Sequence, residues 1–223
     1  MERSEVYGAL DSALAEPRLA RLYSRVRDIF TAHRGISHDW DHVKRVFVNA
    51  ARLATEEGAN VGIVLAAALL HDIGFITNPT EPKKHNIHGA EACVEYLAEW
   101  DEGERKTIAS CILKHKGKFP GYAGLEPETL EERVLCDADQ VDKFGWVGLL
   151  QVVKVYAEYG AARFKNFDTL SGLTDGLNEA AHIELYTDAA KRMASARRGP
   201  SLAEASRIAK EELSFYEEWK EPS

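Results

Sequence analysis

The segment VGIVLAAALLHDIG, residues 61–74, constrains this chain more than any other, because it is apolar on every side and ends in the adjacent pair His71 and Asp72. A helix that is apolar all round has to run through the middle of a protein. A carboxylate at its end is costly to bury unless it is paired or bound to a metal. The segment therefore predicts a central helix that delivers His71 and Asp72 to a buried polar site. Asn60 is placed to cap its start and Gly74 to end it.

The remaining periodic segments also repeat at helical spacing. Leu19, Leu22, Tyr23, Val26, Ile29 and Phe30 follow Pro17, which suits a helix start. Val43, Val46, Phe47, Ala50, Leu53 and Ala54 share one face of a helix that stops at Gly58. Further helices are expected from about Asn86 to Trp100, Glu102 to Lys114, Glu128 to Asp142 and Trp146 to Tyr159. Gly199 and Pro200 break the chain, and Ser201 with Glu204 then forms a capping-box pattern for a last helix carrying Leu202, Ala205, Ile208 and Ala209. His115–Pro127, with three Gly and two Pro, reads as loop. Strand alternation is not convincing anywhere, so the expected fold class is all-α.

A chain of 223 residues suits one domain, here 1–223, with a helical extension from about 175 to 223 for packing or dimerisation to a homodimer. The net charge of -8 argues against a general grip on nucleic acid, which needs many Lys and Arg on phosphates. The N-terminus lacks an apolar stretch followed by small residues, and no later stretch is apolar for the length of a membrane span, so a cytoplasmic protein is the expectation. Cys93, Cys111 and Cys136 are odd in number and widely spaced, which signals neither disulfides nor a cysteine zinc site. They are read as buried hydrophobes.

Chemistry concentrates in three places: His42 in HDWDHVKRV, the His71–Asp72 pair in LLHDIG, and Asp137, Asp139 and Asp142 in CDADQVDKFG. Helices packed side by side assemble metal sites from residues distant in sequence. In this order the motifs resemble the HD-domain metal-dependent phosphohydrolase superfamily, from about Ser37 to Leu150. The resemblance implies an HD-domain helical bundle with its core at about 37–150 and a divalent metal on His42, His71, Asp72 and Asp139. Asp139 is preferred because Ala138–Val141 is similar to the family's ADxL context; Asp137 is the alternative, and Asp142 lies a turn beyond as a supporting residue.

Two-metal members of the superfamily place extra histidines between the HD pair and the distal aspartate, where this chain has His88 and His115. Both are candidate ligands of a second metal bridged by Asp72, or else contacts to substrate phosphate or helix caps. His38 and His85 are expected to be surface or supporting residues, and His33 and His182 structural. The resemblance implies hydrolysis of a phosphate ester or nucleotide phosphate, as a phosphatase or phosphodiesterase, by a metal-activated water. His71 and Asp72 would be catalytic, and one or two ions of Mn, Fe, Co, Ni, Zn or Mg would serve.

Arg45 is a candidate for substrate phosphate or for a surface ion pair. Among Lys84, Lys114, Lys116, Lys118 and Lys143, Lys116 and Lys143 are the substrate-binding candidates. The expected partner is a small phosphate compound, nucleotides included. HDIGF lacks the Glu or Lys that assists catalysis in some relatives, so no general acid is assigned. Phe119–Tyr122 lacks the Gly-Tyr-Pro order of cyclic-dinucleotide phosphodiesterases, which argues against cyclic di-GMP. The alternatives are a di-iron oxygenase on the same scaffold and a non-catalytic, ligand-binding HD module.

Overall fold

The computed structural model describes residues 2–33, 35–118, 124–163 and 169–217. In chain order the helices are α1 (Arg3–Leu14), α2 (Pro17–His33), α3 (Trp40–Glu57), α4 (Val61–Leu70), α5 (Gly74–Thr77), α6 (His85–Ala92), α7 (Glu102–Lys114), α8 (Leu130–Val141), α9 (Gly145–Arg163), α10 (Leu170–Ala180), α11 (Asp188–Ser195) and α12 (Leu202–Glu217). No strand occurs among the described residues, and the fold is all-α. None of the described helices is long and apolar enough to cross a membrane.

The apolar segment does run through the centre. Every residue of α4 from Ile63 to Leu70 is buried, and α2, α3, α7 and α8 pack around it. Large-to-small changes in such a helix cost about 2–5 kcal/mol each. The turn before it is fixed by two local features. Gly58 ends α3 in the left-handed region at φ 76°, and the Asn60 side chain accepts the backbone N–H of Ile63. This short connection makes α3 and α4 antiparallel neighbours, so the start of α3 lies beside the end of α4.

The end of α4 differs from the expectation. The helix stops at Leu70, a turn carries His71, Asp72 and Ile73, and Gly74 opens α5 instead of closing α4. Gly74 is required by close approach: a Cβ there would overlap the backbone carbonyl of His85 and crowd the backbone N of Gly89. Gly74→Ala should therefore push α5 and α6 apart and destabilise the fold by about 3 kcal/mol. A melting temperature equal to that of the parent protein would contradict this.

The stretch expected as one helix from Asn86 to Trp100 begins a residue earlier and stays α-helical only to Ala92. Cys93–Glu95 then tightens into a 3₁₀ turn, and the backbone N–H groups of Tyr96, Leu97 and Trp100 each bond a carbonyl three residues back. This tighter winding puts both Leu97 and Trp100 into the core. Cys93, Cys111 and Cys136 are buried free thiols, as expected. Burial pushes all three above the usual thiol range, Cys93 to about 11.

The C-terminal part divides between two places. Val152 and Tyr156 of α9, Leu177 of α10 and Leu202 of α12 form a small apolar cluster of their own. By contrast α11 packs on α3 and α8, with Ala189, Ala190 and Met193 in the main core. The lead into α11 is held by Asp137, whose carboxylate accepts the backbone N–H groups of Tyr186 (2.9 Å) and Thr187 (2.7 Å) and the Thr187 hydroxyl (2.7 Å). Part of the expected extension is thus anchored to the helix that carries Asp139.

Candidate metal centre

Five elements deliver side chains to one buried point. Asp39 caps α3 by accepting the His42 backbone N–H at 2.9 Å, which sets His42 in the first turn. The antiparallel α3–α4 pair brings it to the end of α4, where His42 Nε2 is 3.3 Å from His71 Nε2. His115 caps the end of α7, His85 opens α6, and Asp139 comes from the last turn of α8.

The backbone decides which nitrogen each ring presents. Nδ1 of His71 lies 2.8 Å from the carbonyl of Ala68, Nδ1 of His85 2.8 Å from that of Pro82, and Nδ1 of His115 2.6 Å from that of Ile112. A carbonyl only accepts, so each Nδ1 carries the proton and each Nε2 turns a lone pair inward. His42 is held the same way by a carboxylate, with Nδ1 at 2.9 Å from Asp142 Oδ2. The Nε2 atoms of His85 and His115 then face each other at 3.3 Å, as those of His42 and His71 do.

Asp72 stands between the two histidine pairs. Its Oδ2 is 3.4 Å from His42 Nε2 and 3.2 Å from His71 Nε2, and its Oδ1 is 3.6 Å from His85 Nε2 and 3.8 Å from His115 Nε2. Two groups could each hold a metal ion, His42–His71–Asp72 and Asp72–His85–His115, and they share Asp72. Asp139 Oδ1 lies 3.4 Å from His42 Nε2 and borders the first group. The donor set fits a cation on an independent ground: Asp72 Oδ2 is buried and accepts no hydrogen bond, a cost that a metal would remove.

The charges agree with this. Burial pushes His115 down to about 3 and His85 well below the usual imidazole value, with Lys116 adding to both, so both rings are neutral and ready to ligate. Burial opposes a charge on His42 as well, but Asp139, Asp142 and Asp72 outweigh it and raise His42 well above its ordinary value. A proton on His42 balances the surrounding carboxylates, and a cation would displace it. Asp72 and Asp139 stay well below the usual carboxylate range against the cost of burial, through His71 and His38 for Asp72 and through Lys116 and Lys143 for Asp139. Lys116 Nζ is 3.4 Å and Lys143 Nζ 4.0 Å from Asp139 Oδ2. Burial and then Lys116 bring Lys143 down to about 8.

The structure brings together His42, His71, Asp72, His115, Asp139, Lys116 and Lys143 from the sequence-derived set, and it places His88, Arg45 and Asp137 elsewhere. His88 does not join the cluster: its Nε2 sits 3.1 Å from Glu81 and 3.0 Å from Asn78, and His85, three residues earlier, occupies the place beside His115. Both histidines belong to α6, but the 3₁₀ turn Pro82–Lys84 aims the first residue of the helix inward and leaves the next turn facing Asn78. Arg45 takes up the ion-pair alternative. It grips Asp142 with two bonds of 2.8 and 2.9 Å and reaches Gln151 at 2.9 Å, which fixes the carboxylate that orients His42. Asp137 faces away, toward Tyr186 and Thr187.

His38, expected at the surface or as a supporting residue, is buried, with Nδ1 2.9 Å from Ser37 Oγ. Its ring stacks at 3.8 Å on Phe75, which stacks at 4.1 Å on His85. His33 is exposed. His182 is exposed too and borders a cleft with Lys116 and Gln140. Phe119–Tyr122 lie outside the described residues.

The helices, the His–Asp cluster and the distal aspartate coincide with a known family: its model, the HD domain, matches residues 39–143. Residues 39–143 are an HD domain. Around it the chain is similar to the uncharacterized protein YpgQ of Bacillus subtilis strain 168, 27% identical over 168 residues, which cover 72% of this chain and 77% of YpgQ. The fold is shared with an HD superfamily hydrolase from an uncultured Thermotogales bacterium, at TM-score 0.60 and 22% identity over 95% of this chain and 99% of that one. It is shared also with the crystal structure of B. subtilis YpgQ in complex with ADP, at TM-score 0.55 and 19% identity over 90% and 94% of the two chains.

Proposed function

We propose that this HD protein is a divalent-metal-dependent hydrolase of small phosphate compounds, nucleotides among them. The observation that carries the reading is the convergence of four histidine Nε2 atoms on the two oxygens of Asp72, with Asp139 and two lysines at one side. His42, His71, Asp72 and Asp139 would hold one ion, and Asp72, His85 and His115 a second. When bound, such ions supply Lewis acidity toward phosphoryl oxygens and a nucleophilic water at neutral pH.

The chain's own residues do the rest. Backbone carbonyls and the Arg45–Asp142 pair lock the imidazoles, so no reorganisation is needed on binding. Lys116 and Lys143 offset the charge of the phosphate and orient it against Asp139. Phe75, packed between His38 and His85, keeps water from one flank of the cluster. The solved YpgQ complex with ADP supports a nucleotide as ligand.

Metal-depleted protein reloaded singly with Mn, Co, Zn or Mg and screened against phosphate monoesters, diesters and nucleotides should hydrolyse at least one class, and chelator should abolish the activity. Full activity in chelator would refute a metal-dependent mechanism. A strict need for iron and dioxygen, with no anaerobic turnover on Zn or Mg, would overturn hydrolysis in favour of an oxygenase.

A further inference from the structure

A cleft of about 420 Å³ lies along the stripe of α3 that carries Asp41, Lys44, Arg45, Val48 and Asn49, and Arg197, from the segment after α11, closes it. None of these residues belongs to either metal group. The second wall is built in place. Trp146 donates its backbone N–H to the Arg198 carbonyl at 3.0 Å. Gly145, at φ 69°, comes so close that a Cβ there would overlap the same carbonyl and crowd Arg197 Cβ. Residues 197 and 198 are therefore seated on the turn between α8 and α9. Asn49, only 4% exposed, is fixed from the core side: its Nδ2 donates to the Ala138 carbonyl at 3.2 Å, and its Oδ1 faces Arg197 Nη2 at 3.4 Å.

Cationic donors at this cleft outnumber their acceptors. Arg197 Nε is buried and has no hydrogen-bond partner. Buried donors are normally satisfied, and the Nη2 contact to Asn49 is long for a hydrogen bond. Lys44 is exposed and pairs with no described residue. Arg45 uses Nε and Nη2 on Asp142 and Gln151, which leaves Nη1 to donate elsewhere. Asp41 is the one carboxylate of the lining, and it is exposed, where water and salt screen its charge.

We propose that this cleft is an anion site separate from the metal centre, taking a small oxyanion of the phosphate or sulfate class on Arg197, Lys44 and the free edge of Arg45. Guanidinium groups match the geometry of such oxyanions, and the anion supplies the acceptor that Arg197 lacks. Occupancy is coupled to the metal centre through Arg45, because Arg45 holds Asp142 and Asp142 Oδ2 orients His42 at 2.9 Å. An anion that draws Arg45 outward loosens that carboxylate and weakens the hold on a metal at His42. The coupling rests on the metal reading of the site above, while the anion site itself does not.

Calorimetric titration of the metal-free protein with sodium sulfate at low ionic strength tests the site. One sulfate should bind per chain, Arg197→Gln and Lys44→Gln should each weaken it about tenfold, and Lys116→Gln, beside the metal centre, should leave it unchanged. Lys44 is exposed, so its variant keeps the fold even where Arg197→Gln loosens the turn. Saturating sulfate should then lower manganese affinity about threefold or more in the parent protein and leave it unchanged in Arg197→Gln. No saturable sulfate binding, or binding that survives Arg197→Gln and Lys44→Gln but is lost in Lys116→Gln, overturns the site. Sulfate that binds the cleft without changing manganese affinity overturns the coupling. Failure of the protein to bind manganese at all would sink the proposed function, and the sulfate titration would still decide the cleft.

Discussion

Asp72→Ala should strip the protein of bound metal and lower phosphate hydrolysis by roughly 10³-fold or more, with the metal-free fold intact. Among the described residues Asp72 belongs to both metal-competent groups and lies within 3.8 Å of all four histidine Nε2 atoms, so its loss would remove a donor from both groups at once. The several kcal/mol that a metal contributes to a phosphoryl transition state convert to about three powers of ten in rate. Without metal the change relieves the cost of burying a carboxylate but also removes the charge that faces His71 and His42, so the metal-free melts of both proteins set the baseline. Thermal melts separate the two effects. At a metal concentration of 1,000 times Kd the parent protein gains about 4 kcal/mol, and the variant should gain less than about 1. Full turnover by the metal-depleted variant would refute the catalytic role of Asp72.

His85→Ala should take a protein holding two metals to one holding about one, and lower turnover roughly 10²-fold. His115→Ala should behave alike, since the two rings face each other at 3.3 Å. His88→Ala should keep both ions, because that ring bonds Glu81 and Asn78 at the edge of α6. Its loss costs at most about 1 kcal/mol of stability, as expected for a pair with a half-exposed carboxylate. Elemental analysis of the three variants decides between them. If His88→Ala loses the second metal and His85→Ala keeps it, the assignment drawn from the geometry is wrong.

The contrast between His85 and His88 shows where sequence reasoning ran out. The central helix, its Asn60 cap, the stop at Gly58 and the gathering of His42, His71, Asp72 and Asp139 were legible, because each rests on local chemistry or on a motif with fixed spacing. Which histidine of HNIHG turns inward depends on the Pro82–Lys84 turn and on the close contact of Gly74 with the His85 backbone. Both are tertiary facts with no period to read. In the sequence Arg45 stays open between a phosphate and an ion pair for a similar reason: spacing puts it on the face of His42, and the packing of α3 on α8 gives both arms of its guanidinium to Asp142.

The measurement that tests the central claim most directly is anomalous diffraction from crystals of the manganese-loaded protein. Two peaks should appear on either side of the Asp72 carboxylate, about 3.5–4 Å apart, one next to His42, His71 and Asp139 and the other next to His85 and His115. A single peak away from Asp72, or a second peak beside His88 instead of His85, would contradict the account.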